Sequence, residues 1–233
     1  MSADTTAWDF VSSGNLSNFF WSGPLPRAIV RNTRKDVSFE ANAGDARTAR
    51  WNRLRFCELP MDPLPSVRPF LPHEWRMYRD LRLRALEDSP DAFGMTLAEE
   101  RDRSDAEWST RLAAGGDPRW NLPVVAEVDG EPIGLAWGRI EPSTPELANL
   151  YQMWVDPKYR NLGAGRMLLE AVIDWARDAN VRYLALGVTC GDSAAARLYA
   201  RAGFQPVGEP EPLRPGSSLL MQPMRLELRS AGT

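Results

Sequence analysis

A short turn rich in glycine gives the first chemical signal in this sequence. The turn reads Arg160-Asn161-Leu162-Gly163-Ala164-Gly165, and the apolar-striped stretch RMLLEAVIDWARDA after it predicts a helix that begins at or near Gly163. The first four backbone N–H groups of a helix have no intrahelical partner, and the helix dipole adds about half a positive charge there. Such an end attracts phosphate, and glycines at 163 and 165 leave no Cβ atom to keep a phosphate away. Arg160 and Arg166 would add fixed positive charge on either side.

These glycines also have a simpler explanation, because a tight strand-to-helix turn needs glycine for its backbone angles alone. Two well-known phosphate loops do not fit. A P-loop requires lysine and then serine or threonine after its last glycine, whereas Arg166 and Met167 follow here. A dinucleotide fingerprint needs a third glycine where Leu168 stands, and no acidic residue ends the next predicted strand. The surrounding elements must decide between a ligand and a purely structural turn.

Hydrophobic periodicity predicts a strand on each side of this helix, ANLYQMWV before it and RYLALGV after it. A helical crossover returns the chain in the same direction, so we expect these two strands to be parallel. The fold class is therefore α/β with a mixed sheet. The other predicted elements are a strand SVRPF, a helix HEWRMYRDLRLRALEDS, a helix over 97–113, a hairpin at Asp129-Gly130, a helix DSAAARLYARA, a strand FQPVG and a last strand whose Pro223 indicates an edge or a bulge.

The turn and its neighbours resemble the GNAT superfamily of acetyl-CoA-dependent N-acetyltransferases. That family's Arg/Gln-x-x-Gly-x-Gly/Ala signature matches residues 160–165, and LYQMWVDP before it is similar to the family's fourth strand. AAARLYARAGF, from Ala194, is similar to a later helix, and SPDAFG, from Ser89, resembles a segment of bacterial members. The resemblance covers roughly residues 66–228. It implies a GNAT-like mixed central sheet with flanking helices, in which two parallel strands splay apart, usually at a bulge.

The same resemblance implies attack of an amine on the thioester of acetyl-CoA, with no metal. An alkylammonium of pKa near 10.4 is only about one part in 2500 neutral at pH 7, so a base or a water path is required. The intermediate carries an oxyanion, for which the resemblance implies a backbone N–H donor on the fourth strand. The implied cofactor-binding residues are Met153, Trp154 and Val155 on that strand, and Arg160, Asn161, Leu162, Gly163, Ala164, Gly165 and Arg166 in the turn, which would hold the diphosphate.

Tyr199 matches the position at which the family places a general acid. A thiol of pKa near 8.5 leaves more easily when an acid supplies a proton to the departing sulfur. The alternative for Tyr199 is an ordinary core tyrosine, since Leu198 and Ala202 of the same predicted helix also point inward.

Asp192 stands where the family usually has an asparagine that bonds the pantetheine arm of the cofactor. An aspartate can accept a hydrogen bond from a pantetheine amide but cannot donate one. Asp192 or Ser193 could instead cap the helix that follows.

The general base is not identified by the sequence. Some family members carry glutamate at the position of Asn149, which cannot act as a base. Glu146 and Glu127 are substitutes, with a solvated surface position as the alternative for each, and a water path is the third option.

The composition limits the compartment and the partners. A formal charge of −3 and a pI near 5.4 give no general attraction to nucleic acid or to an anionic membrane. No apolar run reaches the roughly 20 residues that cross a bilayer, so we expect a cytoplasmic protein. Cys57, Cys190 and the single His73 offer neither a disulfide framework nor a metal site. A homodimer that pairs through the last strand is an open alternative.

Residues 1–60 differ from the domain that we expect at residues 61–233. They hold eight Lys or Arg against six acidic residues, and their isolated aromatics follow no period. We interpret them as a weakly ordered extension or as the product of a start codon placed too early, with Met61 as the first residue. A basic arm that binds nucleic acid is a weaker alternative.

Two functions are compatible with these residues. The first is an N-acetyltransferase that acts on a primary amine of a small molecule, amino acid or peptide. The second is an acyl-CoA-binding sensor or regulatory module without turnover, which the unidentified base and Asp192 leave open.

Overall fold

The centre of the domain is one eight-stranded sheet. The computed structural model describes residues 64–228, so the extension predicted for residues 1–60 lies outside the described residues. Along the sheet the order is β1-β2-β3-β4-β5-β8-β6, and β7 pairs with β8 as well. The pair β4 and β5 is parallel, as the helical crossover predicted, and the other pairs are antiparallel. The strands are β1 (Ser66–Pro69), β2 (Asn121–Val128), β3 (Glu131–Ile140), β4 (Leu147–Val155), β5 (Tyr183–Thr189), β6 (Gln205–Pro206), β7 (Glu211–Pro212) and β8 (Leu220–Glu227).

Helices cover both faces of the sheet, so the domain has two hydrophobic cores. Successive strand side chains point to opposite faces, and accordingly Val125 and Leu135 lie in the core under the first helices, whereas Val124 and Ala136 lie in the core under the later ones. This confirms the α/β class with a mixed sheet. The helices are α1 (Trp75–Asp88), α2 (Leu97–Arg101) and α3 (Asp105–Ala114) on the first face, and α4 (Ala164–Asp178) and α5 (Ala194–Arg201) on the second.

The helix predicted over 97–113 is wrong, because the chain forms two helices there. Thr96 accepts a hydrogen bond from the Glu99 amide at the start of α2, and Ser104 accepts one from the Glu107 amide at the start of α3. Both are capping boxes, in which the glutamate also bonds back to the amide of the cap. The sequence carries this S/T-x-x-E signal twice, and residues 99–105, which are all polar or charged, mark the break between the two helices.

The expectation that Pro223 marks an edge strand is wrong, and the irregular pairing that it also indicated lies on one side of β8 only, where residues 207–210 stand opposite Gln222 and Pro223 between β6 and β7. β8 lies inside the sheet, with β5 on one side and β6 and β7 on the other, and its pairing with β5 runs without a register shift. The Pro223 carbonyl accepts from the Val207 amide, so the proline nitrogen faces the same side, where β6 has ended and β7 has not begun. Proline is tolerated there because no neighbouring strand needs its missing N–H. A homodimer that pairs through the last strand stays a prediction.

Gly138 in β3 allows α4 to pack closely on the sheet. A Cβ atom at this position would lie 2.8 Å from Trp175 Cζ3 and 2.9 Å from Val172 Cγ1, both in α4. Trp175 cannot move freely, because its indole N–H donates to the Pro118 carbonyl at 2.8 Å. We expect Gly138→Ala to lower the free energy of unfolding by about 1–3 kcal/mol in urea denaturation, as overpacking does elsewhere.

The matched control is Gly94→Ala, in the loop before α2. An added Cβ there would meet only the Leu213 carbonyl oxygen at 3.4 Å, which is an ordinary contact. Equal stability of the two variants would contradict the close packing of α4 on β3.

Candidate functional site

A gap opens between β4 and β5 halfway along β4. The two strands pair only at Leu147 with Tyr183, Ala148 with Leu184 and Asn149 with Ala185. β4 then continues to Val155 without β5 beside it, whereas β5 stays paired with β8 up to Thr189. The parallel strands are therefore splayed, as the family resemblance implied.

A bulge in β4 accompanies this splay. Tyr151 pairs with Trp137 and Trp154 pairs with Leu135, so two residues of β4 stand opposite one residue of β3. The first of the two, Gln152, has a φ of 56°, in the left-handed region. A bulge of this kind bends its strand, which explains why β4 leaves β5.

The bulge also fixes which backbone groups face the gap. The Asp156 amide donates to the Ile133 carbonyl of β3 at 2.8 Å, and alternate residues of a strand direct their backbone groups to the same side. Trp154 therefore points its backbone toward β3. Met153 and Val155 point theirs away from β3, and Arg160 Nε reaches the Val155 carbonyl from that side at 3.1 Å. Two backbone N–H groups of β4 are thus directed into the gap.

The glycine turn lies at the open end of this gap. Asn161 and Gly163 have φ values of 71° and 87°, and α4 begins at Ala164. The first helical hydrogen bond runs from the Met167 amide to the Gly163 carbonyl at 3.1 Å, so the amides of residues 163–166 have no partner within the helix. Gly163 is needed for its backbone angle, as the simpler explanation holds, and the same turn leaves four donors available.

Gly165 faces the gap directly. A Cβ atom on Gly165 would lie 3.7 Å from Met153 Cε, 3.8 Å from Val155 Cγ2 and 3.7 Å from Leu198 Cδ2. These neighbours belong to the free end of β4 and to α5. The turn, the splayed strand and α5 therefore meet at one place.

Tyr199 projects from α5 into this meeting point. Only 7% of the residue is exposed, and its hydroxyl donates to Met153 Sδ at 3.6 Å. Burial raises the pKa of Tyr199 above its ordinary value of 10.0. The phenol is thus held in its protonated form beside the Met153 side chain of β4, where it can donate a proton or a hydrogen bond.

A family model described as the acetyltransferase (GNAT) family matches residues 75–204, which is more than half of the chain. The chain belongs to the GNAT acetyltransferase family. Among curated proteins, a mycothiol acetyltransferase from Cellulomonas flavigena is 29% identical over 153 residues, which cover 62% of this chain and 41% of that protein. The chain thus spans less than half the length of this relative.

Solved structures of GNAT proteins have the same fold at low sequence identity. A GNAT-family acetyltransferase from Streptococcus pneumoniae has a TM-score of 0.61 and 20% identity, over 71% of this chain and 99% of that one. The structure of yncA from Salmonella typhimurium with its cofactor acetyl-CoA has a TM-score of 0.60 and 19% identity, over 72% and 96% of the two chains. These similarities show the GNAT fold.

Arg160 of this GNAT domain is engaged by Asp88, the last residue of α1. The Asp88 carboxylate accepts hydrogen bonds from Arg160 Nη2, from Trp154 Nε1 at 2.9 Å and from Ser89 Oγ at 2.6 Å. Partial burial acts to raise the pKa of Asp88, but the three hydrogen bonds outweigh it and hold the pKa below its ordinary value. Asp88 therefore links the end of α1 to the end of β4 and to the turn.

Sequence reasoning missed Asp88, although one signal was present. A carboxylate at the C-terminal end of a helix is unfavourable with the helix dipole, so its presence there indicates a partner elsewhere.

The structure places the remaining charged candidates toward solvent. Arg166 pairs with Glu170 at 2.7 Å on the outer face of α4 and is 75% exposed in its side chain. Asp192 pairs with Arg197 and is 83% exposed in its side chain. The cap of α5 is Ser193, which accepts from the Ala196 amide at 3.0 Å, so Ser193 rather than Asp192 has that role.

The candidate bases do not lie at the gap. Glu146 is exposed and precedes β4, seven residues before Met153 and about 23 Å away at the rise of a strand. Glu127 is bound by Arg68 at 2.7 and 2.9 Å beside the opposite edge strand β1. Asn149 is buried at the last paired position of β4 and β5. A water path is the remaining option of the three.

Two further searches cover the described residues only. No helix between residues 64 and 228 is both long and apolar enough to span a bilayer. Over the same residues, no group of three or more His, Cys, Asp or Glu side chains is arranged to hold a metal ion.

Proposed function

We propose that this GNAT domain transfers the acetyl group of acetyl-CoA to a primary amine of a small molecule, amino acid or peptide by direct attack. The observation that carries the proposal is that the glycine turn, the free end of β4 and α5 meet around Gly165, where side-chain atoms of Met153, Val155 and Leu198 lie 3.7 to 3.8 Å from the position of a Cβ atom. These elements supply the two gap-facing amides of β4, the four free amides at the start of α4, and the buried hydroxyl of Tyr199, which bonds Met153 Sδ. Each supplies one requirement of acyl transfer from a phosphate-bearing thioester.

The amides of residues 163–166 suit the diphosphate of coenzyme A, because free N–H groups and the helix dipole both favour a negative group there. From that point the pantetheine arm would enter the gap left by β5. The amide groups of the pantetheine arm would form hydrogen bonds with the backbone of Met153 and Val155, in the way that a neighbouring β-strand does. The acetyl group then ends beside Tyr199.

The reaction forms a bond between the amine nitrogen and the acetyl carbon and breaks the bond from that carbon to sulfur. A β4 amide would stabilise the oxyanion that develops between these two events. The Tyr199 hydroxyl would then donate to the departing sulfur, which leaves as the thiol of coenzyme A. The amine loses its extra proton to water and water returns a proton to Tyr199, so the products are an amide and free coenzyme A.

Because no carboxylate of β2 or β4 reaches the gap, we expect the enzyme to use the neutral amine. For an acceptor of pKa near 10.4, kcat/KM should then rise about tenfold per pH unit between pH 7 and 9. A pH series of initial rates at saturating acetyl-CoA measures this. A plateau that begins near pH 7 would instead reveal a protein base.

One observation also favours a binding module without turnover. Neither Glu146 nor Glu127 lies at the gap, and this fits a domain that senses acyl-CoA. In that case acetyl-CoA would bind, but no amine would release its thiol.

The test is an amine panel followed by detection of free thiol. The panel should hold amino acids, dipeptides, polyamines and the acceptor of the mycothiol acetyltransferases, to which the chain is similar. Thiol release that depends on one class of amine supports the acetyltransferase. Tight binding of acetyl-CoA without release from any amine would support the binding module instead.

A further inference from the structure

An arginine is buried in α1 on the side that packs toward the β4 bulge. Arg82 is only 2% exposed, and its guanidinium carbon lies 4.5 Å from the centre of the Phe93 ring. One helical turn earlier, the Tyr78 hydroxyl donates to Gln152 Oε1 of the bulge at 2.9 Å. Residues four apart lie on the same face of a helix, so Arg82 follows Tyr78 on the face of α1 that packs toward the β4 bulge.

Arg82 lacks the hydrogen bonds that a buried guanidinium needs. Among the described residues, neither Nε nor Nη1 has a hydrogen-bond partner. The nearest carboxylate oxygen, Glu100 Oε1, is 3.8 Å from Nε, beyond hydrogen-bond distance. Burial lowers the pKa of Arg82 to about 10, so the side chain still carries its charge at neutral pH.

Glu100 balances this charge only in part, because it is 3.8 Å from Arg82 Nε and two other arginines bind it at hydrogen-bond distance. Glu100 is fully buried and accepts from Arg103 Nε at 3.0 Å and from Arg111 Nη1 at 3.0 and 3.1 Å. Three guanidinium groups thus surround one carboxylate. A buried positive charge is costly unless an anion pairs with it. Glu100 approaches Arg82 at Nε. Nη1 is therefore the donor that remains for an oxygen atom of a bound ligand.

The chain after α1 crosses the mouth of the gap above this cluster. Asp88 bonds the indole of Trp154 at the end of β4, and the Asp91 carbonyl accepts from Thr189 Oγ1 at the end of β5 at 2.5 Å. Phe93, which follows directly, covers Arg82. The turn and α4 lie on the other face of the sheet, where the cofactor is proposed to bind. Arg82 is therefore on the side from which the acceptor would approach.

We propose that Arg82 binds a carboxylate of the acceptor, so that the substrates of this domain are amines that also carry a carboxylate, such as free amino acids. This inference rests on the proposed acetyltransferase function. The buried Nη1 donor of Arg82 favours an acceptor that carries a carboxylate, because the carboxylate supplies both a hydrogen-bond acceptor and a negative charge. An acceptor with a neutral amide in its place would leave the buried charge of Arg82 without a full counter-charge.

Matched acceptors test the inference by thiol release. Glycine, β-alanine and γ-aminobutyrate are each compared with the corresponding amide, with rates corrected for the neutral fraction of each amine. We expect the acids to exceed the amides about tenfold or more in kcat/KM for the spacer that fits best. Arg82→Met should lower kcat/KM for the acids and so remove their preference over the amides. Arg76→Met is the control, because Arg76 is an exposed arginine of the same helix, and it should keep the preference.

A second measurement needs no turnover and no stable variant. The Nε–H resonances of the arginines are followed by NMR in the full chain with coenzyme A, and N-acetylglycine is titrated against N-acetylglycinamide. We expect a saturable shift of the buried Arg82 resonance with the acid alone. Equal turnover of acids and amides, together with equal shifts, would overturn the inference and identify Arg82 as a structural residue satisfied by water. Failure of every amine to release thiol would instead overturn the proposed function.

Discussion

Replacement of Tyr199 by phenylalanine is expected to lower kcat by about 100-fold or more, the usual contribution of a general acid. The affinity for acetyl-CoA should change by less than about twofold, because the lost hydroxyl acts only on the departing sulfur. Initial rates and calorimetric binding of acetyl-CoA measure the two quantities separately. The substitution is mild for the fold, since the hydroxyl contacts only the weak acceptor Met153 Sδ among the described residues.

The pH dependence of the wild-type enzyme gives an independent check on Tyr199. Its pKa is raised in the folded protein, so the acid form is complete at any pH below its ordinary value of 10.0. The kcat profile should therefore show no alkaline decline caused by Tyr199 up to that pH. A phenylalanine variant with unchanged kcat would show that Tyr199 is an ordinary core residue, the alternative that its sequence pattern left open.

Gly165→Leu is expected to weaken acetyl-CoA binding about 100-fold or more, the equivalent of about 2.7 kcal/mol. The first atom of a new side chain would already touch Met153, Val155 and Leu198, so a leucine would extend into the gap proposed for pantetheine. The stability of the variant must be measured beside its affinity, because the added side chain would contact three packed neighbours. Calorimetry gives the affinity, and circular dichroism the integrity of the fold.

Gly165→Ala is the matched control. Its Cβ would lie at ordinary contact distances of 3.7 to 3.8 Å, and alanine replaces glycine within a helix with a gain of about 1 kcal/mol in stability. We expect this variant to be at least as stable as the wild type and to bind acetyl-CoA nearly as well. A leucine variant that binds as tightly as the alanine variant would exclude the gap as the cofactor channel.

Local signals predicted most of the fold. The Asp129-Gly130 hairpin forms with φ values of 51° and 80°, which is the turn chemistry that its dipeptide indicates. The helix after the glycine turn was predicted from its apolar periodicity, and the parallel pairing of β4 and β5 from the direction in which a helical crossover returns the chain. Both signals depend on residues that are close together in the sequence. The split between α2 and α3 was present in the sequence as a second S/T-x-x-E signal, which a single helix over 97–113 left out of account.

Contacts between distant residues could not be predicted in the same way. The interior position of β8 depends on strands β6 and β7, which are two residues each and carry little periodicity. Arg82 belongs to a helix that reads as a solvated, arginine-rich face, and its burial becomes visible only when α2 and the Phe93 loop pack over it. The role of Asp88 likewise depends on residues 66 and 72 positions away.

The most direct test of the central claim is a crystal structure of the domain with acetyl-CoA. The account predicts diphosphate oxygens within about 3 Å of backbone nitrogens among residues 163–166, and the pantetheine arm in the gap between β4 and β5. The acetyl carbonyl should face the Met153 or Val155 amide, with its sulfur next to Tyr199. A cofactor bound elsewhere, or a diphosphate held by side chains away from the start of α4, would contradict the account.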